Sequence, residues 1–467
     1  MNAKKLPANP NLQQYKKQAK DLLKACQADE PSALQRIPNL RRRPGSKITL
    51  ADAQFAVARE HGFESWPAFA KHIQSLTPDS PAAIWDAARN AVISSDAAAL
   101  ESLLTRHAAL LRTEQPPPYG SGGLRPDYSS GHARAILLRE HHFENWEQFA
   151  AYKSALQQNH SLLAQFETAV DAIVAGDTRT LHQLLRANPA LIHARSTRRH
   201  HSTLLHYVAS NGVEAFRQKC PKNIVAVTEL LLHSGAAVDA EADMYGGRQT
   251  TLALAATSIH PLQAAVLIPL LETLLNAGAS IDGDIGRSVV NACLANGRRK
   301  AAEFLAGRGA KLDLEGAAGV GRIDLVRICY AESTATQVQD AFAWACEFGR
   351  TPVVEFLLDQ GLDPRASLKH HGQTGLHWAA AGAHLDTVQL LLNRKAPVDA
   401  QDQTWQATPL SWALYGWKNP PPETSPEHYY QVVALLIAAG ATVQPEWLDD
   451  PAVRADPRML AALTGEI

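Results

Sequence analysis

Trp344, Trp378 and Trp412 stand 34 residues apart, and the text around each of them recurs. The three copies begin "FAWACEFGRTPVVEFLLDQGLDP", "LHWAAAGAHLDTVQLLLNRKAPVDA" and "LSWALYGWKNP". Earlier copies are "LHYVASNG" and "LALAATSIHPLQAAVLIPLLETLLNAGASID", and weaker ones are "NACLANGRRKAAEFLAGRGAKLD" and "LEGAAGVGRIDLVRICY". A unit this short cannot bury its own apolar face, so it must stack on its neighbours. The 467 residues therefore need not divide into compact domains of ordinary size, because stacked units lengthen a chain without enlarging one core.

A period near 34 suits two kinds of helix-pair repeat, tetratricopeptide and ankyrin. The residues closing each unit choose between them. Gly235, Gly278, Gly309, Gly361 and Gly440 each follow an apolar helix pattern, as a left-handed C-cap requires. Asp239, Asp282, Asp313, Asp363 and Asp399 follow in turn, and Asp folds back on its own backbone in turns. Together they predict a β-hairpin finger between helix pairs. "QTGLHWAA" (373–380) resembles the ankyrin signature T-P-L-H-x-A, and "TPLSWAL" (408–414) keeps its Thr-Pro-Leu. The resemblance implies an all-α ankyrin-repeat solenoid, helix pairs with short β-hairpin fingers and a concave face. It covers about half the chain, and it makes His206 and His377 structural, bonding the helix start to the next finger.

The N-terminal third carries a second period. "REHGFESWPAFA" (59–70) returns 80 residues later as "REHHFENWEQFA" (139–150). Trp and Phe three apart suit one buried helix face, so His61, Glu64, His141, His142 and Glu144 are read as parts of a structural motif. The spacing matches no metal motif. A Pro/Gly-rich run at 113–131 reads as a long loop. The expected organisation is a first helical module over 1–80; a degenerate hairpin, the loop and the second module copy over 81–160; the solenoid over 161–445; and a C-terminal capping helix over 446–467. The whole arrangement resembles a group of uncharacterised bacterial ankyrin-repeat proteins with N-terminal Phe-x-x-Trp modules, which implies a fold and no reaction.

Composition narrows the function classes. Residues 1–47 hold eleven Lys/Arg against three Asp/Glu, while the chain as a whole has net charge −1. A basic segment on an acidic body permits nucleic-acid contact, but a solvated helix face explains it as well. The five cysteines form no C-x-x-C pair, so neither a disulfide framework nor a zinc site is expected, and a reducing compartment fits. Cys293 and Cys346 read as small core residues. "AAVLIPLLETLL" is too short and too interrupted to span a bilayer. The expectation is a cytoplasmic monomer without cofactor or metal whose partner is a protein rather than nucleic acid or membrane. "GAAGVGR" (316–322) lacks the Lys-Ser/Thr of a phosphate loop and aligns with the inter-helix turn. The Trp column, with Tyr207 and Leu254 in the same register, is expected to pack in the core.

The finger positions are left over from the scaffold. Arg198, Arg199, His200 and His201 precede one helix start; Asp243, Tyr245, Arg248 and Gln249 the next; His370 and His371, then Gln403 and Trp405, the later ones. Such side chains need not pack, and Arg, Tyr and Trp are common interface anchors. They are the candidate binding residues, with no catalytic assignment. The alternative is an enzyme or small-anion site built from Arg198, His200, His201, Asp243 and Tyr245, since imidazole, carboxylate and guanidinium together bind phosphorylated ligands. A third reading gives the basic segment a nucleic-acid contact.

Overall fold

The computed structural model describes residues 12–28, 30, 33, 36–37, 48–75, 81–113, 128, 132–158, 160–282, 288–366, 368, 372–420 and 424–466. The Pro/Gly-rich run, except Thr113 and Tyr128, lies outside these residues, as do Arg41–Lys47 of the basic segment and the finger candidates His370 and His371. The chain forms two units, one of residues up to 158 with 214–216, the other of 159–213 with the chain from 217 onward.

In the first unit the 80-residue duplication becomes two copies of one helix–turn–helix. Leu50–Glu60 and Trp66–Ser75 form the first, Ala133–Glu140 and Trp146–Leu156 the second. Phe69 and Phe149 are wholly buried. Around Phe69 lie His61, Phe63 and Trp66 at ring distances of 5.2, 5.3 and 5.7 Å. Around Phe149 lie His141, Phe143 and Trp146 at 5.2, 5.3 and 5.3 Å. The repeated histidine is thus an aromatic packing partner. His141 also places Nε2 2.7 Å from the Val92 carbonyl.

In the second unit the first helices of successive pairs touch in order: Leu162–Ala175, the 3₁₀ turn Leu204–Ala209, Thr251–Thr257, Val289–Ala295, Leu314–Val320, Ala335–Glu347, Gly375–Ala381 and Pro409–Lys418. The second helices behind them include Ile224–His233, Leu267–Asn276, Thr351–Asp359, Leu385–Asn393 and Pro426–Ala438. Their buried faces form two apolar clusters, one from Phe166 to Ala310 joined by Phe348, the other from Leu314 to Leu463. Cys293 and Cys346 lie in them, fully buried. Most of "GAAGVGR" lies in helix Leu314–Val320, and only its end, Gly321 at φ +83° with Arg322, makes the inter-helix turn.

The fingers differ from expectation. Among the described residues only one forms a β-hairpin, β1 Glu241–Met244 paired antiparallel with β2 Gly247–Thr250. Its turn residues Tyr245 and Gly246 both have positive φ, +53° and +74°, the geometry that matches strand twist in two-residue hairpins. The finger before it is closed by a single antiparallel bridge, Arg195 with Thr203, and the aspartates that close the helix pairs mostly do not fold back locally. Asp239 accepts the Ser280 amide at 2.9 Å, Asp282 the Lys311 amide at 2.8 Å and Asp399 the Thr442 amide at 3.0 Å. The aspartate closing one pair thus accepts a backbone amide in the pair that follows. Only Asp363 bonds within its own turn, to the Arg365 amide, while Asp313 caps the next helix at Gly316.

The single C-terminal helix expected over 446–467 is instead three short ones, Pro445–Leu448, Pro451–Ala455 and Pro457–Thr464. Proline opens each, lacking the N–H a preceding helix would need to continue. Asp450 and Asp456 cap the second and third.

Candidate interaction surface

The run Ser196–His201 is a turn, closed by the Ser196 amide on the Ser202 carbonyl at 2.8 Å and the His201 amide on the Arg198 carbonyl at 2.9 Å, and it alternates in burial. Ser196, Arg198 and His200 point inward; Thr197, Arg199 and His201 point outward. The expectation that side chains here need not pack is therefore corrected for Arg198 and His200. Arg198 is 1% exposed and forks onto Glu167, Nη1–Oε1 2.6 Å and Nη2–Oε2 3.1 Å. Arg217 reaches the same carboxylate at 2.6 Å and Asp171 at 2.8 Å. This paired cluster anchors the finger to helix Leu162–Ala175; removing one member would strand a buried charge. The His200 ring sits edge-on to Tyr207 at 6.2 Å.

The outward residues knit the first finger to the hairpin. His201 Nδ1 lies 2.9 Å from Asp243 Oδ2. Arg195 Nη1 donates to the His201 and Glu241 carbonyls, both at 2.8 Å. Arg248 pairs with Glu241 across the hairpin. Tyr245 donates to Asn211 Oδ1 at 2.6 Å while staying 70% exposed. Gln249 gives its carbonyl to His206 Nε2 at 3.3 Å. Of the five residues expected to converge, His201 and Asp243 meet, Arg198 and His200 turn inward, and Tyr245 bonds elsewhere. Arg199 is exposed.

His206 and His377 behave as the resemblance implied. Each ring Nδ1 accepts the amide of the helix-opening threonine, Thr203 at 3.1 Å and Thr374 at 3.0 Å. Nε2 then donates to the next finger, at Gln249 O and, 3.1 Å away, Ala407 O. Burial pushes the His206 imidazole down to about 4 and lowers that of His377.

The last finger is different in kind. Trp405 is 64% exposed. Its ring stands 6.1 Å from Trp412, which stands 5.2 Å from Trp378, both edge-to-face. The Trp column therefore changes along its length: Tyr207 and Leu254 are core, as expected, whereas Trp344, Trp378 and Trp412 are half-buried. One turn beyond Trp412, Tyr415 is 69% exposed.

Asp402, which sequence reasoning passed over, fixes this arrangement. It is fully buried. Oδ1 accepts the amides of Thr404 at 2.9 Å and Trp405 at 2.7 Å, and Oδ2 accepts the Trp412 indole N–H at 3.0 Å. Burial alone would raise its pKa, but these donors outweigh it and hold the carboxyl below the usual range. The Asx-turn pattern ahead of Trp405 was the available signal. Gln403 is exposed on the same turn.

The family model described as ankyrin repeats (3 copies) matches residues 314–402 and, in an overlapping match, 342–446. That stretch matches ankyrin repeats. It begins where the second apolar cluster begins, at Leu314. The chain is also similar to the E3 ubiquitin-protein ligase hecd-1 of Caenorhabditis elegans, 33% identical over 112 residues. The likeness takes in 24% of this chain and only 4% of that ligase. Ankyrin repeats generally mediate protein–protein interaction, and Trp405, Trp412, Trp378 and Tyr415 all lie within the matched stretch. No described helix is long and apolar enough to cross a membrane.

Proposed function

We propose that the chain is a protein-binding scaffold whose ankyrin array extends N-terminally of the matched stretch, back to the helix pairs after residue 161, and that it holds its partner through the finger face. Two features of the matched stretch recur before it, the Thr-x-x-His cap at Thr203–His206 and the forward-reaching aspartates Asp239 and Asp282, which supports the extension. The observation carrying the binding surface is Trp405, exposed yet standing on a turn that buried Asp402 holds rigid. Exposed tryptophan offers large contact area, and a rigid turn lowers the ordering cost of binding. Trp412, Trp378 and Tyr415 widen the patch; Arg199, Tyr245 and Arg248 supply polar contacts on the earlier fingers.

Trp405→Ala is expected to leave the thermal melt within about 2 °C of wild type, since an exposed side chain contributes little to stability. The same change is expected to weaken partner binding by about tenfold or more, in the range of an anchor residue. Parallel affinity captures with wild type, Trp405→Ala and Arg199→Ala check this. Retention of every captured protein by both folded variants would sink the proposal.

A further inference from the structure

A cavity of about 360 Å³ lies in the second unit where residues from several helix pairs meet. This is within the size range of small-molecule sites. Leu262, Leu267, Phe348 and Trp378 form apolar wall, and Arg298, Arg299 and Lys300 bring three basic groups to it. Glu347 is the acidic residue of the lining.

The Arg298 charge is not cancelled by any described carboxylate. Arg299 is held by Glu303 at 3.0 Å, and Glu303 also takes Arg350. Arg298 is half-buried and donates Nε to the Ser258 carbonyl at 3.1 Å; it has no carboxylate partner among the described residues. Burial lowers its pKa, the sign of a cation short of compensation. The Glu347 carboxyl, unpaired among the described residues, is pushed up to about 7 by burial and so offers at most part of a negative charge near neutrality. His384, whose Nε2 lies 2.7 Å from the Glu347 carbonyl, is pushed down to about 4 by burial, with Arg299 and Arg350 adding to the effect. The wall is therefore electropositive, partly dehydrated and aromatic.

We propose that this cavity binds a small organic acid, one anionic group carried on an apolar body, with Arg298 as the principal anion contact and Trp378, Phe348, Leu262 and Leu267 enclosing the body. A charge-assisted bond to a half-buried guanidinium is stronger than one at the surface, and apolar enclosure adds affinity that a bare ion cannot gain. The cavity shares Trp378 with the Trp405 patch, but Arg298 belongs to the cavity alone and Trp405 to the finger alone, so variants at those two residues tell the two readings apart.

The test titrates the full chain with benzoate, phenyl phosphate, inorganic phosphate and benzylamine, followed by ligand-observed NMR and calorimetry. Benzoate and phenyl phosphate are expected to bind, inorganic phosphate more weakly and benzylamine not at all. Arg298→Gln is expected to weaken the two acids about tenfold, equivalent to about 1.4 kcal/mol, with circular dichroism as the fold check. Should that variant not fold, Lys300→Gln is expected to weaken them and Arg298→Lys to keep most of the binding. Benzylamine binding as tightly as benzoate overturns the proposal. So does equal binding of phenyl phosphate and inorganic phosphate, unchanged binding by the folded charge-removing variants, or no acid bound by wild type at about 10 mM.

Discussion

At the scale of single residues, the left-handed positions that close the second helices carry a direct prediction. Gly235, Gly278, Gly309, Gly361 and Gly440 occupy them with φ between +92° and +97°. At the equivalent place in "LLNRKAPVDA" stands exposed Lys395, φ +62°. An L residue there costs about 1–2 kcal/mol, partly offset by the greater flexibility of an unfolded glycine. Lys395→Gly is expected to stabilise the chain by about 0.5–1 kcal/mol. Gly278→Ala should cost about 1 kcal/mol, although a Cβ there meets no atom within 4 Å. The urea midpoint reads both, and an unchanged midpoint for Lys395→Gly would remove the argument. These glycines were legible in the sequence because backbone geometry dictates them locally. The burial of Arg198 was not. Its partner Glu167 is 31 residues away, and the alternation through "STRRHH" is hidden when both faces carry polar side chains.

At the scale of elements, the Thr-x-x-His caps at Thr203–His206 and Thr374–His377 join a helix start to the next finger, and the bond works only with a neutral ring. Nδ1 must accept from the threonine amide while Nε2–H donates onward. Folding holds His206 near 4 against an ordinary 6.5, chiefly by burial. The unfolded chain thus takes up a proton that the folded chain refuses. Stability from this residue is complete above about 6.5, is lost as pH falls toward 4, and the loss is on the order of 3 kcal/mol at the acid limit. His377 and His384, also lowered, act with the same sign. The urea midpoint is expected to be lower at pH 4.5 than at pH 7, and His206→Gln should flatten that dependence while lowering the neutral-pH midpoint. Equal wild-type midpoints at the two pH values would mean the rings are protonated when folded. The cap was readable from "TLLH" and "TGLH". Hairpin fingers were expected throughout; that just one forms among the described residues was not foreseen, and "MYGG" there places two positive-φ residues where a two-residue turn needs them.

At the scale of the whole molecule, each helix pair is stabilised mainly by its neighbours, so the array is most exposed at its ends. After Pro426–Ala438 the three proline-started helices take the place of a further pair. Val453, Met459, Ala462 and Leu463 are buried in the same cluster as Val432, Val433 and Leu436. Tyr430 donates to Asp456 at 2.6 Å, and Arg458 pairs with Glu427 at 2.6 Å. The 34-residue spacing foretold the stacking, since each unit must bury a face, but it could not foretell how the last face is covered, because the covering segment does not repeat. Deleting 449–467 would uncover that face and expose the Leu435–Leu436 side of the last pair. The truncated chain is expected to bind a hydrophobic dye strongly and lose solubility. Amide protection should fall first in Pro426–Ala438 and Pro409–Lys418, leaving Leu162–Ala175 close to wild type, because interactions in such arrays pass only between neighbours. Hydrogen exchange on the truncated and full chains reads this gradient. A uniform loss from one end to the other would show that the second unit unfolds as a single cooperative body, and the nearest-neighbour account would then be wrong.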